Sequence, residues 1–198
     1  MTRLLLRPIG KDDYAVIDAG ERVGRIRCAT ERAREVWMAM PAIAKTLRLT
    51  GIDPATIVVG PDSESRPWVS DLAGQLGLAH TVARKIRRGD RTVEIGFAEP
   101  ASVAGRPVLL VDDIVSSGGT LIACAKALSA AGAKAIDAVI THALFPPDMT
   151  IEFADAGIGS IRSTSSVPHL TNAIPLDDIF VVALRSEING TSFPEITP

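Results

Sequence analysis

Four consecutive apolar residues, Val108-Leu109-Leu110-Val111, run directly into Asp112-Asp113, then Ser116-Ser117-Gly118-Gly119-Thr120, then a stretch with helical spacing. A strand that is apolar at every position, not at alternate ones, must be covered on both faces, which is the condition of a central strand in a parallel sheet. Thr56-Ile57-Val58-Val59-Gly60 is a second such run. Helical spacing follows it at Trp68, Val69, Leu72, Ala73 and Leu76, and Gly77 supplies a stop. Further strands are expected at 80–83, 91–95, 108–111, 135–141, 158–162 and 179–184, with helices at 119–131 and near 149–156. Strands alternating with helices of this length predict an α/β fold: a mostly parallel sheet flanked by helices, with right-handed crossovers.

Residues 1–28 follow a different rule. Tyr14–Asp18 and Arg22–Arg27 read as short strands joined through Ala19-Gly20-Glu21, and with Leu4-Leu5-Leu6 they make an N-terminal β-meander. Thr30 can cap the helix that follows, although Ala33 stands where a capping box prefers Glu or Gln. That helix carries apolar residues at Ala33, Val36, Met40, Ile43, Ala44 and Leu47. Pro41 inside it predicts a break or a fresh start, and Gly51 fits its C-terminal stop. The expected organisation is a meander and linker helix over 1–40, one α/β domain over 41–190, and a tail over 191–198.

Composition narrows the classes of function. A formal net charge of −2 gives no sequence-independent grip on nucleic acid. No run of 18 apolar residues exists to span a membrane, and the three leucines between arginines at the start are too few for a signal core. Cys28 and Cys124 lack any metal-ligand or redox spacing, so the chain is expected in the cytoplasm, with Cys124 a buried inert thiol.

Ligands of open parallel sheets sit beyond the carboxyl ends of the strands, and that is where Asp112 and Asp113 are expected. Gly118 and Gly119 let backbone N–H groups approach a phosphate, and the start of the next helix adds donors and a favourable dipole. Ser116, Ser117 and Thr120 contribute hydroxyls, while two adjacent carboxylates suit vicinal ribose hydroxyls, each of which can donate to an acceptor. The pattern therefore reads as one phosphate plus one sugar diol. The bland alternative is an aspartate cap over a glycine turn.

The segment LLVDDIVSSGGTL resembles the phosphoribosyl-pyrophosphate (PRPP) loop of type I phosphoribosyltransferases. The resemblance implies that Asp112 and Asp113 hold the ribose hydroxyls and that Ser116, Ser117, Gly118, Gly119 and Thr120 hold the 5-phosphate. Many family members have Asp or Glu where Ser116 stands, so no carboxylate role carries over to that position. Four further segments are similar, in the same order, to ribose-phosphate pyrophosphokinases over roughly residues 42–185. VVGPDSESRPWVSDLAGQLG opens the second half of those enzymes, ARKIRRGDRTVEI resembles their mobile catalytic loop, and DAVITHALF with SSVPHLTNAIPL resembles the rest of that half.

The resemblance implies pyrophosphate binding by Asp62, Ser63, Glu64 and Ser65, with Asp62 helping to hold Mg²⁺. A helix cap with first-turn acids is the alternative there, and Glu64 fits a pyrophosphate only if it points away or acts through Mg²⁺. It assigns Lys85 and Arg87 to catalysis, neutralising charge on a transferred diphosphoryl group; a solvated basic loop is the alternative. His142 and His169 are expected to be structural, and His80 to be a strand-edge residue. The implied partners are small molecules (ribose 5-phosphate, PRPP and ATP), with no nucleic acid, no membrane and a homo-oligomeric assembly.

The FxDGE, RQDR and DPH segments that mark the other half of such enzymes are not found. Residues 1–41 are too short to be that half, so much of the ATP side is expected to be absent. Three readings stay open: diphosphate transfer from MgATP to ribose 5-phosphate, joining of a nucleobase to PRPP, and a non-catalytic PRPP-binding regulatory partner.

Overall fold

The computed structural model describes residues 5–10, 13–18, 21–27, 33–88, 92–97, 102–179 and 181; before residue 39, over 85–88 and over 92–95 it describes the backbone alone. The chain opens with three antiparallel strands, β1 (Leu5–Gly10), β2 (Asp13–Asp18) and β3 (Glu21–Arg27), paired in the order β1-β2-β3. This is the expected meander. Its second pair carries a register shift between Val16, opposite Gly24, and Ile17, opposite Arg22. The turn residues Ala19 and Gly20, the Thr30 cap and Cys28 lie outside the described residues.

The main body is a six-stranded sheet in the order β11-β10-β9-β8-β4-β5, every pair parallel. Its strands are β4 (Ile57–Gly60), β5 (Ala79–Val82), β8 (Pro107–Val115), β9 (Ala135–Ala143), β10 (Ser160–Thr164) and β11 (Asn172–Ile174). The helices are α1 (Ala33–Thr50), α2 (Arg66–Leu76), α3 (Gly119–Ala130) and α4 (Met149–Asp155). Alternation along each strand divides the core in two. Ile57, Val59, Val108, Leu110, Ile136, Ala138 and Ile140 face one cluster with Leu121, Cys124 and Leu128 of α3 and Phe153 of α4. Val58, Leu109, Val111 and Val139 face the other, with Met40, Ile43 and Leu47 of α1 and Val69 and Leu72 of α2. The consecutive apolar runs are thus strands buried on both faces, as their composition requires.

Several expectations are corrected. The break at Pro41 does not occur: α1 is continuous from Ala33 to Thr50 with Pro41 inside it. Pro41 is exposed, so the carbonyl its ring leaves without a donor can turn to water. Gly51 at φ 81° and Gly77 at φ 69° end α1 and α2 as predicted. Strand β8 does not stop at Val111; it continues through both aspartates to Val115, pairing Asp112 with Ile140 and Ile114 with His142 of β9. Its other neighbour, β4, pairs only as far as Val59 opposite Leu110. Asp112 and Asp113 are therefore in a strand held on one side only.

Residues 177–179 and 181 are helical, where a strand was expected over 179–184; 182–184 lie outside the described residues, as does the tail. The amide of Ile179 bonds Leu176 O, and Ile179 packs on the α1 cluster, so its apolar side is met without a sheet. The last strand among the described residues is instead β11, too short to stand out as an apolar run. The segment resembling a mobile loop forms an antiparallel hairpin of β6 (Arg84–Arg88) and β7 (Thr92–Gly96), pairing Lys85 with Ile95 and Arg87 with Val93.

Candidate ligand cleft

At the carboxyl edge of β8 an open cleft of about 180 Å³ is lined by Asp62, Asp112–Val115, Ser116–Thr120 and Leu121. The loop that leaves β8 owes its shape to Gly118. This residue sits at φ 68°, in the left-handed region, immediately before α3. A Cβ there would meet Met149 Cε at 2.7 Å and Phe153 Cε1 at 2.7 Å. Two independent constraints, backbone conformation and packing, thus require glycine. Phe153 stacks edge-on against Phe145 with centroids 5.0 Å apart, and Phe145 packs on His169 at 4.4 Å. The loop rests on this aromatic column, which the sequence reading missed. The apolar positions of α4 were legible, but nothing in one dimension links them to Gly118.

Gly119 differs from Gly118. A Cβ there would meet nothing within 4 Å, and its φ is not left-handed. No side chain caps α3, although the first N–H groups of a helix have no intrahelical acceptor. Ser116, Ser117, Gly119 and Thr120 are exposed. One wall of the cleft therefore offers N–H and hydroxyl donors in the field of a helix N-terminus.

The same cleft is also lined by Asp62, Asp112 and Asp113. The Asp112 carboxylate accepts the N–H of Asp113 at 3.0 Å through Oδ1, and Asp113 Oδ1 accepts the N–H of Ile114 at 2.8 Å. Burial pushes the Asp112 carboxyl up to about 8; the negative charge of Asp113, and beyond it Asp62, adds to the rise, against the bond from the Asp113 amide. Burial also raises the thiol of Cys124 to about 12, with Asp112 and Asp62 contributing. Cys124 is fully buried and free, the inert thiol expected.

The structure divides the second predicted group, 62–65. Only Asp62 lines the cleft. Its Oδ1 accepts the N–H groups of Glu64 at 2.9 Å and Ser65 at 3.0 Å, and Ser65 Oγ donates to Asp62 O at 2.6 Å. Ser65 is completely buried, so its hydroxyl serves the turn and does not reach a ligand. Ser63 and Glu64 are exposed outside the cleft lining. Lys85 and Arg87 lie on β6, and their side chains are outside the described ones. Among the described residues no set of three His, Cys, Asp or Glu is arranged as a metal cage.

The histidines take structural places. His80 is exposed on the edge strand β5. His169 Nε2 bonds Phe145 O at 3.1 Å and must be its protonated nitrogen; Nδ1 then accepts from Thr171 Oγ1 at 2.7 Å. His142 Nδ1 lies 2.9 Å from Ser166 Oγ.

The phosphoribosyl transferase domain family matches residues 31–159. A ribose-phosphate pyrophosphokinase of Methanobrevibacter smithii is 29% identical over 157 residues, which is 74% of this chain and 52% of that protein. The mitochondrial ribose-phosphate pyrophosphokinase 3 of Spinacia oleracea is 48% identical over 96 residues, 48% of this chain and 23% of that one. The crystal structure of phosphoribosylpyrophosphate synthetase from Mycobacterium smegmatis has the same fold, with a TM-score of 0.64 at 19% identity over 77% of this chain and 51% of its own. The chain spans at most about half the length of these relatives. With its cleft at the carboxyl edge of an all-parallel sheet, the chain belongs to the phosphoribosyl transferase domain family, in the form similar to that of ribose-phosphate pyrophosphokinases.

Proposed function

We propose that the cleft binds ribose 5-phosphate and PRPP, and that the protein takes part in transfer of diphosphate from MgATP to ribose 5-phosphate. One observation carries the reading: a donor-rich helix start and a pair of carboxylates line one small cleft. The 5-phosphate would take the N–H groups around Gly119 and the hydroxyls of Ser116, Ser117 and Thr120. Asp112 and Asp113 would accept from the two ribose hydroxyls.

In the transfer, the anomeric hydroxyl of ribose 5-phosphate gives up its proton to solvent and its oxygen bonds to the β-phosphorus of ATP, the bond from that phosphorus to the α,β-bridging oxygen breaks, and AMP leaves with that oxygen. Such a reaction needs positioning and charge neutralisation more than covalent help. Lys85 and Arg87 are assigned the neutralising role. Three carboxylates with no basic side chain beside them in the described lining also fit a divalent cation that shares substrate oxygens and needs no protein cage. Asp62 would contribute to holding Mg²⁺, which would offset charge on the phosphates. The reading is one of a cytoplasmic enzyme acting on small molecules.

The test is to mix the purified chain with MgATP and ribose 5-phosphate and follow products by phosphorus NMR. AMP and PRPP appearing together support the reading. Binding of ribose 5-phosphate or PRPP without AMP overturns the transfer and leaves a base transferase or a non-catalytic binding protein. Lys85→Ala is expected to lower turnover with little loss of ribose 5-phosphate affinity; equal loss of both would place Lys85 in ground-state binding.

A further inference from the structure

Thr141 of β9 is almost fully buried, at 2% exposure, and its Oγ1 has no hydrogen-bond partner among the described residues. Its backbone oxygen is well served, accepting from Thr164 Oγ1 at 2.6 Å and Ser166 Oγ at 2.8 Å. A buried hydroxyl without a partner loses its hydration and gains nothing in return, so packing alone would favour a side chain of the same shape without the oxygen. Neighbouring buried hydroxyls on this edge do not share the defect: Thr164, Ser163 and Thr171 are all bonded.

The register shows what lies beside it. Strands β8 and β9 pair Val111 with Val139, Asp112 with Ile140 and Ile114 with His142, which sets Asp113 opposite Thr141. Val111 and Val139 on one side of this pair belong to the α1/α2 core and Val115 and Ala143 on the other to the α3 cluster; residues opposite each other in a parallel pair point to the same face of the sheet, so Asp113 and Thr141 share a face. The Asp113 carboxylate has about four acceptor positions, and one is taken by the Ile114 N–H. When a ribose hydroxyl donates to the outer oxygen, a further donor from behind fixes the plane of the carboxylate.

Resting on the reading that Asp113 accepts from a ribose hydroxyl, we infer that Thr141 is a positioning residue for the sugar: its hydroxyl donates to Asp113 and holds the carboxylate toward the diol. The unpartnered hydroxyl of the free protein is then the half of a contact that the ligand completes. Thr141 itself does not touch the sugar.

The test is calorimetric titration of the full chain in Mg²⁺ buffer with ribose 5-phosphate and, separately, inorganic phosphate, alongside thermal unfolding. Thr141→Val keeps the shape and removes the oxygen. The variant is expected to bind ribose 5-phosphate about tenfold more weakly, the effect of losing a hydrogen bond to a charged group. Phosphate affinity should be unchanged and the unfolding midpoint equal or higher. Thr141→Ser should restore the ribose 5-phosphate affinity. Unchanged ribose 5-phosphate binding in Thr141→Val overturns the inference, as does an equal loss for both ligands, which would signal disturbed packing. A wild-type chain that does not bind ribose 5-phosphate at all overturns the reading of the cleft, and this inference with it.

Discussion

Two turns leave the carboxyl edge of the same sheet, and both follow one grammar: a buried apolar strand, a few small polar residues, a helix. They end in opposite states. The turn between β4 and α2 is closed on itself, with Asp62 accepting two of its amides and Ser65 donating back to Asp62 O. The one between β8 and α3 is open, with no side chain capping the helix and exposed serines around Gly119. Polar residues near a helix start therefore mean little until their bonds are traced. A turn that satisfies its own donors is a structural joint, and one that leaves them free is ready for an anion.

The largest expected effect separates the two glycines of the open turn. Gly118→Ala must hold a left-handed φ and drive a methyl into Met149 and Phe153, which should cost about 2–4 kcal/mol in denaturant unfolding. Gly119→Ala meets no neighbour and places alanine in the first turn of a helix, so it should unfold no earlier than the wild type. Its methyl instead enters the space a phosphate would use, and ribose 5-phosphate affinity should fall at least tenfold by calorimetry. If Gly119→Ala binds normally, the open turn is not the phosphate wall.

Asp113→Asn should likewise weaken ribose 5-phosphate binding, because part of an acceptor pair becomes a donor, while unfolding changes little. Unaltered affinity would remove Asp113 from the diol site. The corresponding change in the closed turn should do the reverse. Asp62→Ala deprives two amides of their acceptor and should cost about 1 kcal/mol of stability, as loss of a cap does. Ribose 5-phosphate affinity without Mg²⁺ should hold. A stable Asp62→Ala with weakened binding would make the closed turn part of the ligand site.

The contrast also shows what the sequence made legible. The sheet strands at 56–60 and 108–111, helices α2 and α3, the glycine stops and the place of the Ser116–Thr120 turn ahead of α3 were readable because each depends on local chemistry: continuous apolarity, helical spacing, glycine at a turn. The far end of β8, the unbroken α1 and the short β11 were not, since pairing with β9, an exposed face at Pro41 and edge pairing on β10 decide them. At 62–65 the residue types fitted a ligand site as well as a cap, and only the direction of the Ser65 side chain separates the two for that residue. Gly118 beneath Phe153, and Thr141 beside Asp113, are juxtapositions of distant segments that no local pattern encodes.

The last effect is one of pH, and it belongs to the open turn. The Asp112 carboxyl is raised from its ordinary 3.8 to about 8 by burial first and by Asp113 next. Between those values the native protein binds a proton that the unfolded chain has lost, so stability must fall as pH rises. The contribution is fully present below pH 4 and gone above pH 8. Thermal midpoints taken without Mg²⁺ from pH 4 to 9 should therefore decline more steeply for the wild type than for Asp112→Asn, which cannot ionise. Added Mg²⁺ should flatten the wild-type decline toward that of Asp112→Asn, since a cation in the cleft stabilises the ionised form. Parallel curves for the two proteins would mean that the open edge of β8 is better hydrated than its burial implies.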